Sequence, residues 1–175
     1  MLDEFIAFDL ETTGLYPPEK QQIIEYGAVR FKNGIPVETF QTFVRIQGKL
    51  HRFITKLTGI HDGMLQDAPE EEEAFTAFLT FIGDTPLVAH NMSFDYGFVD
   101  YLSRLYYKRL LRNELLCTLV MARGLRLPVP NRRLVTLLDH FSIPMGTAHR
   151  ALDDALAAGR LYLKLDELTY GNDDA

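Results

Sequence analysis

The stretch from Phe5 to Gly14, Phe-Ile-Ala-Phe-Asp-Leu-Glu-Thr-Thr-Gly, constrains this chain more than any other. It opens as an apolar run with aromatic and β-branched members, the pattern of a strand covered on both faces. Asp9 and Glu11 then appear where burial should forbid them. They are two residues apart, so on a strand both side chains leave the same face. Two like charges held side by side are costly unless a positive group lies between them. A divalent cation is one solution, because hard oxygen ligands suit Mg²⁺ or Mn²⁺. Thr12, Thr13 and Gly14 turn the chain at the carboxyl end of the strand, where open α/β sheets place their sites. A strand end carrying two solvated acids accounts for the same residues equally well.

The rest of the chain alternates strand and helix patterns. Residues 23–31 and 37–46 read as strands, joined into a β-hairpin by the Lys32-Asn33-Gly34 turn. A short helix is expected over 52–57, ended by Thr58-Gly59. Residues 69–82 carry Phe75, Phe78, Leu79 and Ile82 at helical spacing. A short apolar strand follows at 86–89. Ser93 is placed to cap a helix running to about Tyr106. Asp95 in its first turn shares a face with Val99 and Leu102, which turns this acid toward the core. An acid satisfied by the helix dipole is the alternative reading. A strand at 114–118 and helices to about Gly124, over 131–141 and over 148–165 complete the pattern. On the last helix Leu152, Ala155, Leu156, Gly159 and Leu163 form the expected buried stripe, with Asp154, Ala158 and Leu161 on its flank. The order predicts an α/β domain with a mixed five-stranded sheet and helices on both faces. It spans 1–170, and the polar tail 171–175 is expected to fray.

A net charge of −6 argues against a general nucleic-acid binder. Two features weaken that argument. Glu70 to Glu73 fit the solvated first turn of a helix, where the dipole favours acids. Divalent ions held by Asp9 and Glu11 would also offset part of the sum. The longest apolar-rich run, 115–122, is far shorter than the roughly 20 residues of a membrane span, so no membrane partner is expected. The first residues lack the charged and apolar regions of a secretory signal. A lone cysteine, Cys117, fits a reducing, cytoplasmic setting and reads as a small buried hydrophobe.

Four acids stand out: Asp9 and Glu11 on the first strand, Asp95 after a short strand, and Asp154 on the last helix. His149 precedes Asp154 by five positions. Adjacent parallel strands place their carboxyl ends together, and a terminal helix packed across the sheet can add Asp154. The segments Asp9-Leu-Glu11-Thr-Thr-Gly14, His90-Asn91-Met-Ser-Phe94-Asp95 and His149-Arg-Ala-Leu-Asp-Asp154 resemble the three exonuclease motifs of the DnaQ-like family, in its histidine-containing (DEDDh) branch. The resemblance runs from about Phe5 to Leu163. Ile23-Ile24-Glu25-Tyr26-Gly27-Ala28-Val29 and Thr58-Gly59-Ile60-His61 are also similar to that family's second strand and following loop.

The resemblance implies a ribonuclease-H-like fold, one of its five strands antiparallel, and metal-dependent 3′→5′ exonuclease activity. It implies that Asp9 bridges two divalent ions, Mg²⁺ or Mn²⁺, with Glu11 and Asp154 on one of them and Asp95 completing the site. His149 takes the role of general base, which suits an imidazole because imidazoles titrate near neutral pH. Asp153 and Asp154 are both possible ligands by composition, and the family's five-residue interval selects Asp154. The expected partner is the 3′ end of single-stranded DNA, with RNA as the alternative and a DNA polymerase as a further partner. The backbone of Thr12, Thr13 and Gly14 is placed against the terminal sugar, and Leu15, Ile60 and Phe94 against the terminal bases. His90 and Asn91 join the substrate-binding set, His90 as a hydrogen-bonded structural residue and Asn91 as a loop anchor. His51, His61 and His140 are assigned to surface or core. The basic residues between Arg104 and Arg133 read as a solvated face, some guiding single-stranded nucleic acid by its phosphates. The Arg150-Ala151-Leu152-Asp153 filling before Asp154 is similar to polymerase-III-type domains, which implies an epsilon-type proofreading exonuclease. The stretch after the last helix is too short for that subunit's linker and polymerase-binding tail, which suggests a stand-alone nuclease or a piece of a longer protein. A non-catalytic module would be expected to lack at least one of the four acids or the histidine, and all five residues are present.

Overall fold

The computed structural model describes residues 2–15 and 17–170; the tail expected to fray lies outside the described residues. Five strands form one sheet in the order β3-β2-β1-β4-β5. β1 (Glu4–Thr12) pairs antiparallel with β2 (Ile23–Lys32) on one side and parallel with β4 (Leu87–Ala89) on the other. β3 (Ile35–Phe43) pairs antiparallel with β2, and β5 (Leu115–Cys117) parallel with β4. β2 alone therefore runs against the other four strands, as expected. The hairpin closes through Asn33 and Gly34, at φ 50° and 77°, so that Lys32 faces Ile35. Left-handed φ at both central residues matches the twist of the flanking strands. β3 starts and ends earlier than the sequence pattern suggests.

The pleat of β1 organises both layers. Ile6, Phe8 and Leu10 pack with Tyr26, Phe75, Phe78, Phe98 and Val99, under helices α3 (Glu71–Ile82) and α4 (Met92–Tyr107). Phe5 and Ala7 face the opposite way, against Phe31 of β2 and against Ala155 and Tyr162 of α7 (Ala151–Tyr170). The ring of Phe5 stacks on Phe31 with centroids 4.8 Å apart and meets the edge of Tyr162 at 4.7 Å. Burying each such side chain contributes about 2 kcal/mol. The alternation that sends Phe5 and Ala7 toward α7 sends Asp9 and Glu11 to that same side.

Several expected boundaries shift for local reasons. α7 starts three residues later than expected and runs to Tyr170, because His149 sits at φ 60° and cannot join a right-handed helix. Its covered surface is wider than the expected stripe. Asp154, Ala158 and Leu161 are buried, whereas Leu152, Leu156 and Leu163 are only partly so. One face of α7 lies on the sheet, and another packs on α5 (Thr118–Gly124) and α6 (Leu134–His140) through Ala157, Leu161 and Leu165. Asn91, at φ 69°, precedes α4, so Ser93 lies inside the helix instead of capping it. α6 begins at Leu134 because Asn131 Oδ1 accepts hydrogen bonds from the Arg133 amide and the Thr136 hydroxyl. α1 (Arg52–Thr58) ends at Gly59 in the left-handed conformation, and α2 (Asp62–Leu65) is a single turn without a sequence signal. Cys117 is only partly buried, because β5 is an edge strand. Among the described residues no helix is long and apolar enough to cross a membrane.

Candidate active site

The carboxyl ends of β1 and β4 meet the first turns of α4 and α7. Asp9 and Glu11 come from β1, and Asp95 from α4, where its Oδ1 accepts the Leu10 amide at 3.1 Å. That amide lies between Asp9 and Glu11 in the chain, so the bond brings Asp95 to the same strand end. Asp154 comes from the first turn of α7, and its Oδ2 accepts the His149 amide at 3.1 Å. Ligand atoms of Glu11, His149 and Asp154 all lie within 4.8 Å of one another, an arrangement that could hold a metal ion. Asp153 Oδ2 instead accepts the Thr147 amide at 2.7 Å and braces the loop before α7.

Asp9, Glu11, Asp95 and Asp154 are each held above the usual carboxylate range. Burial, then Asp95, Glu11, Asp154 and Glu25, push the Asp9 carboxyl well up. Burial raises Glu11 to about 8, reinforced by Asp154, Glu25 and Asp95 and opposed by Arg150. Burial likewise raises Asp95 to about 8, against the pull of the Leu10 amide. Asp154 rises to about 6 by burial, opposed by the His149 amide. Asp154 Oδ1 is buried with no hydrogen-bond partner among the described residues, and an unpaired buried acceptor carries its full desolvation cost. An orphaned oxygen and four carboxylates that raise one another together fit a hard divalent cation.

Glu25 holds this corner together. It is fully buried on β2, opposite Glu11 in the strand register. Its carboxylate accepts from Arg150 Nη2 at 2.8 Å, from the Ala151 amide at 3.1 Å and from Gln41 Nε2 at 2.7 Å. Those bonds tie the start of α7 to β2. A Cβ on Gly27 would fall on the backbone of Ala151 and Leu152, so the helix can lie this close only over a glycine.

A cleft of about 540 Å³ opens beside the acids. One wall is the turn after β1, Thr12 to Leu15, held by a Thr13 amide to Gln22 carbonyl bond of 2.8 Å and a Thr12 hydroxyl to Gly14 carbonyl bond of 2.7 Å. The other wall is α1, with Phe53, Ile54 and Leu57, and Phe94 of α4 completes the lining. Glu11 and the exposed His149 stand at its polar end, and Leu15 is 80% exposed at its rim. Thr12, Thr13, Gly14, Leu15 and Phe94 are thus brought together at the cleft.

Three expected substrate-binding residues lie elsewhere. Ile60 is fully buried in a cluster with Ile24 and Leu65 and has no surface to offer a base. The left-handed turn at Gly59 sends it inward, and Thr58 Oγ1 accepts its amide at 3.1 Å. His90 and Asn91 line a neighbouring depression instead of the cleft. His61 and His140 are exposed, as is His51, whose Nδ1 caps α1 and which borders the cleft. Sequence reasoning missed His51, Phe53 and Leu57 as cleft residues and Glu25 and Arg150 as the brace. The signal for Glu25 was an acid inside an apolar strand, which demands a buried partner.

A family model described as an exonuclease matches residues 6–162. The chain is 42% identical over 167 residues to the PolC-type DNA polymerase III of Caldanaerobacter subterraneus subsp. tengcongensis, covering 94% of this chain and 12% of that protein. It is 35% identical over 167 residues to the epsilon subunit of DNA polymerase III of Aquifex aeolicus, covering 95% of this chain and 82% of that one. Thus it spans only a small part of its PolC-type relatives and most of the epsilon relative. In fold it resembles exonuclease X in complex with 5′-overhanging duplex DNA, at a TM-score of 0.73 and 24% identity, covering 96% of this chain and 92% of that one. A structure of exonuclease I gives a TM-score of 0.77 at 20% identity, covering 95% and 41%. Matched along nearly its whole length, the chain belongs to the DnaQ-like 3′→5′ exonuclease family.

Proposed function

We propose that this chain removes nucleotides from the 3′ end of single-stranded DNA, releasing nucleoside 5′-monophosphates. The observation that carries this reading is the convergence of Glu11, Asp154 and His149 at the polar end of an apolar cleft, with Asp9 and Asp95 beside them. Asp9, Glu11, Asp95 and Asp154 would hold two divalent ions, Mg²⁺ or Mn²⁺. Bound there, such ions supply positive charge to the attacking and leaving oxygens of an in-line displacement at phosphorus. His149 takes the proton of the attacking water, its imidazole standing exposed where solvent enters. The bond from phosphorus to the preceding sugar's 3′ oxygen breaks, and that oxygen takes a proton from solvent to become the strand's new 3′-hydroxyl.

The cleft selects a chain end. The backbone of Thr12 to Gly14 takes the terminal sugar, and Leu15, Phe53 and Phe94 take unpaired bases by stacking and apolar contact. Such contacts tolerate any base, as proofreading requires. Relatives named for DNA polymerase III favour DNA over RNA, and a cytoplasmic DNA polymerase as partner.

Single-stranded DNA and RNA oligonucleotides of matched sequence, labelled at either end, test this with Mg²⁺ and wild-type or Asp9→Ala protein. The expected result is mononucleotide release from the 3′ label, faster on DNA and absent in the variant. Release from the 5′ label, or equal rates from both proteins, would overturn it.

A further inference from the structure

The depression that takes His90 and Asn91 away from the cleft has its own chemistry. It measures about 470 Å³ and is lined by those two residues, Arg123, Arg132 and Arg133, with Leu119 and Leu134. No lining residue is acidic, in a chain whose net charge is −6. Three guanidinium groups have been gathered where the chain as a whole would repel a polyanion.

The three arginines are not equivalent. Arg132 is committed to the loop between α5 and α6: its nitrogens donate to the carbonyls of Ala122 at 3.0 Å, Val129 at 3.2 Å, Leu127 at 3.3 Å and Leu125 at 3.4 Å. His90 ties that loop to β4, pairing its Nδ1 with Thr118 Oγ1 at 2.9 Å and its ring with the backbone of Arg132. Arg123, in the last turn of α5, and Arg133, just before α6, are exposed. Among the described residues neither guanidinium has a hydrogen bond or ion pair. Two free cations on a braced frame form a ready anion site, and the planar guanidinium fork matches phosphate.

Resting on the nuclease reading above, we propose that Arg123 and Arg133 bind the phosphodiester backbone of the strand whose 3′ end occupies the cleft. Depression and cleft lie on either side of one helical turn: Asn91 lines the first, Phe94 lines the second, and the Phe94 amide donates to the Asn91 carbonyl at 2.9 Å. The cleft offers phenylalanine rings to bases, whereas the one ring in the depression, His90, is held by Thr118 and the Arg132 backbone, and what the depression offers is charge. A strand emerging from the cleft thus meets a surface that reads backbone alone, which holds the substrate without preference for sequence.

The test compares wild type, Arg123→Gln/Arg133→Gln and Arg123→Lys/Arg133→Lys. Substrates are a single-stranded DNA dodecamer and the p-nitrophenyl ester of thymidine 5′-monophosphate, which has a phosphodiester but no upstream strand. For the glutamine pair, the ratio of kcat/KM on dodecamer to that on ester falls about tenfold, mostly through KM. The slope of log affinity against log salt becomes shallower by about 1.4, two phosphates at roughly 0.7 each. The lysine pair, which keeps the charge, recovers most of the ratio. An unchanged ratio, or equal losses on both substrates with a lowered melting temperature, overturns the proposal. Anisotropy of the labelled dodecamer in Ca²⁺ separates this idea from the nuclease reading. Binding weakened by the glutamine pair upholds the subsite even if neither protein cleaves, and equal binding ends it even if both do.

Discussion

Arg150 and Glu25 meet where α7 lands on β2, with Nη2 2.8 Å from Oε1. Glu25 is wholly buried and the Arg150 side chain is 29% exposed. The pair therefore lies in a medium where removing one partner strands the other. It also fixes the start of the helix that carries Asp154, one residue after His149's loop ends. Glu25→Ala is expected to lower stability by about 3 kcal/mol and nuclease activity by roughly 10- to 100-fold. Urea denaturation and rates on a labelled oligonucleotide measure both. A stability change under about 1 kcal/mol with full activity would show that α7 is positioned by its apolar contacts alone.

Gly27 tests the same junction without touching charge. Gly27→Ala would place a methyl group on the backbone of Ala151 and Leu152, which cannot rotate away. The helix must lift, and the expected cost is about 1–3 kcal/mol together with a loss of rate, since Asp154 moves with it. A variant as stable and active as wild type would mean that α7 can slide freely over the sheet.

The acids predict an unusual dependence of stability on pH in the absence of metal. Glu11 and Asp95 rise to about 8, and Asp154 to about 6. Folded protein therefore keeps protons that the unfolded chain releases near pH 4. Stability from these groups is complete below that point and is lost as pH rises through 6 to 8. Thermal melts in EDTA should fall from pH 5 to pH 9, and Mg²⁺ should restore the alkaline values by neutralising the carboxylates. Metal-free protein that gains stability over this range would refute the crowding of acids.

Ile60 and Phe53 separate packing from binding. Ile60→Ala removes a fully buried side chain and should cost about 3 kcal/mol with little change in KM for the folded fraction. Phe53 is 63% exposed on the cleft wall. Phe53→Ala should leave stability within about 0.5 kcal/mol and raise KM for an oligonucleotide about tenfold. Melting curves paired with steady-state kinetics distinguish the two, and a reversed pattern would relocate the base-binding wall.

What was legible in the sequence was local. The alternation and charge of β1 and the Asn33-Gly34 turn each depend on residues within a few positions of one another. So did the spacing from His149 to Asp154. The start of α7 was not legible, because it is set by Glu25, more than a hundred residues earlier in the chain, and by a left-handed histidine. Ile60 was misplaced because whether a loop residue faces a cleft or a core depends on the turn before it. The α1 wall was missed because an exposed apolar face on a short helix gives no sign of which distant loop it will confront.

His149 occupies a backbone conformation that a side chain with a Cβ enters only at a cost, about 1 kcal/mol or more. Glycine would relax there, so His149→Gly should melt higher than wild type while losing the proposed base. At this one position robustness and turnover pull in opposite directions. Screens that reward thermal tolerance alone should drift toward inert protein through this residue, and a catalogue of stabilising substitutions would flag the chemistry by where the gain is greatest.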